Sequence, residues 1–282
     1  MLLTGAIWGG AFVAMKSALV SFGVHYLLAL RFSIGAAGLC FMLFSKKHPL
    51  QRTHVLWGLA CGVLLYLAYT VQTYALSLTT AGKNAMITTI YVVLVPFMNW
   101  WATRNKPKRR VLLAALLMLG GVALLSLNER LSINLGDLLT LCCGVLYAVH
   151  ITLVGKYGKG ANPLQFSCLQ FTAAAVCGWV GGLCFETFPT AFTPQMLFEL
   201  AYCGIGATLI ALTLMNIGVQ YTSPETASLI TSTEAMFGAM FGAIFLNEHM
   251  TDRMLWGCAL VMVALVVAQV DVKGFVRKCL KT

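Results

Sequence analysis

The strongest constraint on this 282-residue chain is that its apolar residues gather into successive runs of about 17 to 22, with only short polar connections between them. At 1.5 Å per helical residue, such a run matches the ~30 Å hydrocarbon thickness of a bilayer. A helix on the surface of a soluble core keeps a polar face, because only one stripe of it is buried. These runs are apolar almost all round. Charged residues are 10% of the chain, against roughly a quarter in soluble domains, and mean hydropathy is +0.83. The reading is an all-α integral membrane protein.

Windows bounded by charge, Gly or Pro place ten spans, near Leu2–Val20, Leu27–Phe44, Val55–Leu76, Asn84–Ala102, Val111–Leu127, Leu138–Val154, Leu164–Phe185, Leu200–Tyr221, Glu225–Leu246 and Met254–Val270. The connections are too short to hold a soluble domain, and the longest carry turn formers: Lys46-Lys47-His48-Pro49, Arg104 to Arg110 around Pro107, and Gly158-Lys159-Gly160 before Pro163. No basic n-region precedes Met1-Leu2-Leu3, so the first run reads as a retained helix and not a cleaved leader.

A cytoplasmic N-terminus places Lys46, Lys47, Arg52, Arg104, Lys106, Lys108, Arg109, Arg110, Lys156, Lys159, Lys273, Arg277, Lys278 and Lys281 on the inner side. Only Lys83, Arg130 and Arg253 fall outside, so the positive-inside rule sets both termini in the cytoplasm of a cell (inner) membrane. The net charge of +10 then faces anionic headgroups, and no nucleic-acid partner is implied.

Sliding the chain on itself by 139 residues pairs Trp8 with Tyr147 and Leu30-Arg31-Phe32 with Leu169-Gln170-Phe171. Past the second span the offset becomes 143, pairing Thr79 with Thr222, Thr88 with Thr231, Tyr91 with Glu234, and the connection at Asn105 with that at Glu248. The chain divides into repeats at 1–130 and 131–272 and a basic tail at 273–282. Five spans per copy force the second copy to insert upside down, the inverted-repeat plan of many secondary transporters. The loop charges agree: Arg104 to Arg110 is strongly basic, whereas Asn247 to Arg253 holds Glu248, Asp252 and one Arg.

Polar residues recur at helical spacing inside four spans. The fourth carries Asn84, Thr88, Tyr91, Val95 and Asn99, and the ninth carries Thr231, Glu234, Gly238 and Gly242. The third aligns Tyr66, Thr70, Thr73 and Ser77; its partner aligns Thr213, Asn216 and Gln220. Stripes related in pairs point either to a common cavity at the repeat interface or to interhelical hydrogen bonds of ~0.6 kcal/mol each. Glu234 lies about midway through its span, where an ionised side chain costs roughly 3 kcal/mol unless paired or wet. It is therefore either a proton-coupling or cation-binding group, or a neutral acid bonded to a neighbouring helix.

Trp8, Tyr66, Tyr91 and Tyr147 offer an aromatic lining, or ordinary packing. Lys16 and Arg31 sit within about a turn of outer span ends and can snorkel to headgroups; Arg31 has the alternatives of contacting an anion or pairing with Glu234. His150 reads as a packed polar residue. Pro96 is expected to bend the fourth helix by leaving the Val92 carbonyl without its donor.

Nine of the ten cysteines sit inside apolar runs without C-x-x-C spacing, as buried packing residues and not metal ligands or bridges. Gly5/Gly9, Gly58/Gly62, Gly178/Gly182 and Gly238/Gly242 let helices approach closely, for internal packing ahead of dimerisation; a monomer or weak homodimer is expected. There is no G-x-x-x-x-G-K-[ST], H-E-x-x-H or G-x-S-x-G, so neither ATP-driven transport nor intramembrane enzymology has a motif, and no cofactor is implied.

The strings Ile7-Trp8-Gly9-Gly10-Ala11-Phe12-Val13-Ala14-Met15-Lys16, Leu30-Arg31-Phe32, Tyr91-Val92-Val93-Leu94-Val95-Pro96, Tyr221-Thr222-Ser223-Pro224 and Leu246-Asn247-Glu248, in this order, resemble the EamA-type branch of the drug/metabolite transporter superfamily over essentially the whole chain. The chain departs from that pattern at Asn247-Glu248, where Gly-Glu is usual. The resemblance implies ten helices in inverted five-helix halves, cytoplasmic termini and alternating-access movement of a small metabolite, commonly outward. The expected function is secondary transport of a small organic or drug-like solute, with Trp8, Tyr66, Thr70, Thr88, Tyr91, Tyr147, Thr213, Asn216, Thr231 and Glu234 around the substrate and Glu234 as coupling group. The rival classes are a membrane receptor or scaffold, for which the connections are short, and an intramembrane enzyme.

Overall fold

The computed structural model describes residues 1–43, 51–104, 106–126, 134–247 and 251–269. The regular elements among them are helices: α1 (Leu2–Ala18), α2 (Val24–Leu43), α3 (Arg52–Leu78), α4 (Ala81–Thr88), α5 (Tyr91–Thr103), α6 (Arg109–Ser126), α7 (Leu135–Tyr157), α8 (Pro163–Phe185), α9 (Pro194–Ala201), a π-helical stretch (Tyr202–Leu212), α10 (Thr213–Tyr221), α11 (Pro224–Thr231), α12 (Glu234–Leu246) and α13 (Asp252–Gln269). Among the described residues, seven helical runs are long and apolar enough to cross a membrane: Val24–Leu43, Arg52–Leu78, Ala81–Thr103, Leu135–Tyr157, Pro163–Phe185, Pro194–Tyr221 and Pro224–Leu246. Leu2–Ala18 and Leu255–Ala264 are shorter apolar helices. The expectations for Lys46 to Pro49, Asn105, Arg130, Glu248 and the 273–282 tail lie outside the described residues.

Side-chain oxygens start these helices by accepting the otherwise unpaired first amides. Thr80, Asn134, Thr193 and Ser223 serve this role for α4, α7, α9 and α11, and Asn134 with Asp137 forms a reciprocal capping box. Thr193 with Pro194 at the first helical position starts the eighth run six residues before the expected Leu200. Arg104 and Asn247, 143 apart, end α5 and α12 in the left-handed conformation, at φ 62° and 52°.

Polarity is distributed as a bilayer demands. Phe41, Trp101, Leu183 and Trp256 are 71–86% exposed on the outer surface, where acyl chains would cover them, whereas Asn84, Thr88, Gln170, Asn216 and Arg31 are at most 1% exposed. Cysteines divide between the two environments: Cys61, Cys143 and Cys203 are buried, but Cys40, Cys142 and Cys184 face outward, so the expectation of uniform burial is corrected. A thiol is apolar enough for either surface.

Helices pack largely on their counterparts in the other half: α2 on α8, α6 on α13, and α4 and α5 on α12 and α11. α1 runs along α12 and the π-helical stretch, while α3 runs along α7 and α8. The small residues make these contacts possible. A Cβ on Gly9 would come 2.8 Å from the Gly238 amide nitrogen, one on Gly178 would come 2.8 Å from the Ala29 backbone, and one on Gly62 would come 2.8 Å from Gln170 Cα. Gly5, Gly9, Gly58, Gly62, Gly178, Gly182 and Gly238 all face neighbouring helices of the same chain.

Two membrane runs are interrupted at related positions, Thr89-Ile90 between α4 and α5 and Ser232-Thr233 between α11 and α12. Hydroxyls explain both breaks. Thr88 donates to Asn84 O, Thr89 to Met86 O, Thr231 to Ala227 O, Ser232 to Leu229 O and Thr233 to Ile230 O, drawing carbonyls from the regular helical ladder. The expected bend at Pro96 is not where the helix breaks, since α5 continues through Pro96. The second break has no proline within its helices beyond Pro224 at the start, which confirms that proline is not the common cause.

Candidate substrate cavity

The breaks place Tyr91 and Glu234 at the first turns of α5 and α12, in the interior of the bundle. Tyr91 Oη donates to Glu234 Oε1 at 2.9 Å and lies 3.3 Å from Thr231 Oγ1. Glu234 is 4% exposed and Tyr91 3%. A carboxylate at the start of a helix faces the positive end of the backbone dipole, which favours its ionised form, while removal from water opposes it. The phenol hydrogen bond supplies one partner that serves either protonation state.

This pair borders a cavity lined by Trp8, Phe12, Met15 and Arg31 from the first two helices, Tyr69, Gln72 and Thr88 from α3 and α4, and Tyr147, His150, Leu212 and Met215 from the second half. Its empty space is about 520 Å³. On the face that carries Lys106, Lys108, Arg110, Lys156 and Lys159, a wider recess with about 1710 Å³ of empty space opens beside the Asn99–Glu225 hydrogen bond.

Hydrogen bonds across the halves hold the wall. Trp8 Nε1 donates to Ala207 O at 3.0 Å, and its counterpart Tyr147 donates through Oη to Gln72 Oε1 at 2.8 Å. Gln72 Nε2 then donates to Thr88 Oγ1 at 3.2 Å. His150 pairs with Gln170 Oε1 at 2.7 Å, a packed polar contact that nevertheless lies on the cavity.

Of the ten residues read from the sequence, Trp8, Thr88, Tyr91, Tyr147 and Glu234 line the cavity, and Thr231 stands behind Tyr91. The other four lie elsewhere. Tyr66 bonds His25 Nδ1 at 2.8 Å toward one end of the bundle, and Asn216 donates to Ser167 Oγ at 3.0 Å. Thr70 and Thr213 bury hydroxyls off the cavity. The cavity faces of α3 and the eighth run are Leu65/Tyr69/Gln72 and Leu212/Met215, one residue from the polar stripes. One residue is 100° around a helix, enough to turn a stripe away from its neighbour.

Arg31 corrects the snorkelling expectation, whereas Lys16 is part-exposed and reaches a span end. Lys16 Nζ donates to Thr79 O at 2.6 Å, tying α1 to the end of α3. Arg31 is 0% exposed and lines the cavity, with Nε 3.0 Å from Thr208 Oγ1 and a terminal nitrogen 3.0 Å from Met15 Sδ. Its guanidinium lies 4.5 Å from the centre of the Tyr69 ring. Sequence position placed Arg31 near a span end, but α2 begins at Val24, and the π-helical stretch and α1 close over the side chain.

A helical bundle with an apolar exterior, interrupted spans and an interior cavity that carries a few buried polar groups is the build of a membrane transporter. The chain belongs to the EamA-like transporter family, whose model matches residues 1–127 and again 134–269. An uncharacterized transporter of Archaeoglobus fulgidus is 28% identical over 270 residues, covering 96% of this chain and 84% of that protein. Protein PecM of Dickeya dadantii is 23% identical over 256 residues, covering 86% and 82%. A solved crystal structure superposes with a TM-score of 0.76 at 16% identity, over 95% of both chains, which establishes likeness of fold.

Proposed function

We propose that this membrane transporter moves a small organic solute outward across the cell (inner) membrane by alternating access, with ten spans arranged as inverted repeats at 1–130 and 131–272 and both termini in the cytoplasm. The observation that carries the reading is the Tyr91–Glu234 contact: residues 143 apart, related by the repeat offset, meet at the starts of two half-helices beside the central cavity. The family match to each half and the pairing of α2 with α8 and α6 with α13 support the same symmetry.

In this reading Glu234 is the coupling group. Its ionised and neutral forms interact differently with the helix terminus and with Tyr91, so gain or loss of a proton biases the bundle toward different openings. Trp8, Thr88, Tyr91 and Tyr147 contact the solute, with Tyr66, Thr70, Thr213, Asn216 and Thr231 positioning the helices that carry them. Receptor and enzyme readings find no comparable support. The test is solute flux in proteoliposomes under an imposed pH gradient. Saturable flux above that of protein-free vesicles is expected; none across a broad metabolite panel would contradict transport.

A further inference from the structure

The geometry points to Arg31 as the anchor for a carboxylate on the transported solute. This rests on the transport reading above and adds the chemical class of the solute.

Arg31 is buried beside the central cavity with its fork incompletely used. A guanidinium offers five N–H donors in one plane, spaced to meet two oxygens at once. Its described hydrogen bonds go to a hydroxyl, Thr208, and to a thioether sulfur, Met15, which is a weak acceptor. One terminal nitrogen has no hydrogen-bond partner among the described residues. Neither partner is anionic, and the stacked face of Tyr69 compensates only part of the lost hydration.

Packing does not require this charge. The counterpart of Arg31 in the second half is Gln170, equally buried, whose Oε1 pairs with His150 Nε2 and whose Nε2 has no hydrogen-bond partner among the described residues. The same helix position thus holds an uncharged amide in one half and a cation in the other. The surroundings fix the fork. Thr208 belongs to the π-helical stretch, donates to Cys203 O five residues back at 2.8 Å, and turns its oxygen lone pair to Arg31 Nε. Interruptions of this kind cluster at functional sites. With Nε held by Thr208 and one terminal nitrogen on the weak acceptor Met15 Sδ, the other terminal nitrogen is open to an incoming oxygen, and a carboxylate that displaces the thioether meets both. Trp8, Tyr69 and Tyr147 around them suit a ring or other apolar body on the solute.

The experiment uses purified full-length protein and four probes with similar bodies: 3-phenylpropanoate, L-phenylalanine, 3-phenylpropanamide and 2-phenylethylamine, joined by aliphatic carboxylates of two to eight carbons. Binding is read by calorimetric titration and by rise in melting temperature. Carboxylate-bearing probes should bind, while the amide and the amine should not. L-Phenylalanine binding better than 3-phenylpropanoate would assign an amino-acid zwitterion; the reverse order would assign a simple carboxylic acid. Arg31→Gln, for which the Gln170 side of the fold is a natural precedent, should weaken binding roughly ten- to hundred-fold, and Arg31→Lys should recover only part of it.

Equal binding of amide and carboxylate by the unmodified protein, absence of binding by any carboxylate, or unchanged affinity in Arg31→Gln would overturn the assignment. The first two outcomes need no variant to fold. Proton-dependent flux that persists alongside such a result would leave the transport reading standing and remove Arg31 from it.

Discussion

Tyr91 and Glu234 occupy equivalent places in the two halves and hydrogen-bond to each other at 2.9 Å, so the symmetry-related residues differ in chemistry while sharing one contact. One is a phenol and the other a carboxyl group. A symmetric pair of carboxylates there would repel, and a pair of phenols would leave no readily titrating group. In the proposed mechanism this difference lets two related halves form one coupling site.

The topology is tested most simply with reporters. A reporter fused after Lys281 should be cytoplasmic and one inserted within 127–134 should be external, as the excess of inner basic residues requires. Both reporters on one side would break the inverted-repeat arrangement.

The α1–α12 crossing depends on Gly9. Gly9→Ala should destabilise the folded protein by about 1–3 kcal/mol, because the new methyl meets the backbone of Phe237 and Gly238 and the helices must part. Gly206→Ala is the control: its Cβ would find only Ile7 Cγ2 at 3.6 Å, an ordinary contact. Melting temperatures in one detergent should fall for the first and stay close to the parent for the second.

A second structural asymmetry concerns how two equivalent helices begin. Asn162 caps α8 by accepting from the amides of Leu164 and Gln165. In the first half the equivalent position is Gly23, and Glu186 reaches from the end of α8 to accept from the equivalent amides of His25 and Tyr26 at 2.9 and 3.0 Å. Glu186→Ala should cost about 0.5–2 kcal/mol. Adding Gly23→Asn to that variant should recover part of the loss, since the vacated carboxylate leaves space for the local cap. A melting temperature that does not rise in the double variant would refute this account of the exchange.

The membrane fold was legible because run length and charge asymmetry are set by the bilayer and need no tertiary knowledge. The offset of 143 likewise pairs Tyr91 with Glu234 from the sequence alone. Helix faces were harder to read. On α3, Tyr66, Thr70 and Thr73 looked like the lining because they are polar, yet Leu65, Tyr69 and Gln72 face the cavity. Polar residues satisfy one another between helices as readily as they line a space, as Asn216 does with Ser167, so polarity alone does not orient a helix. Gln72 carries no signal as a lining residue, and for Arg31 the sequence leaves snorkelling and anion contact both open, because burial depends on which helix closes over the side chain. The helix breaks also left a signal in the sequence, the hydroxyl clusters Thr88-Thr89 and Ser232-Thr233, but Pro96 drew attention from it.

In the proposed transport cycle Glu234 couples solute movement to proton movement. This coupling is tested by measuring flux against pH in vesicles reconstituted with matched amounts of the parent protein and of Glu234→Gln. The amide retains the shape and can still accept from Tyr91, but it does not titrate. The parent should respond to an imposed pH gradient, and Glu234→Gln, inserted and folded to the same extent, should lose that response or lose flux altogether. Superimposable profiles for the two proteins would contradict the coupling and reduce the Tyr91–Glu234 contact to a structural bond between the halves.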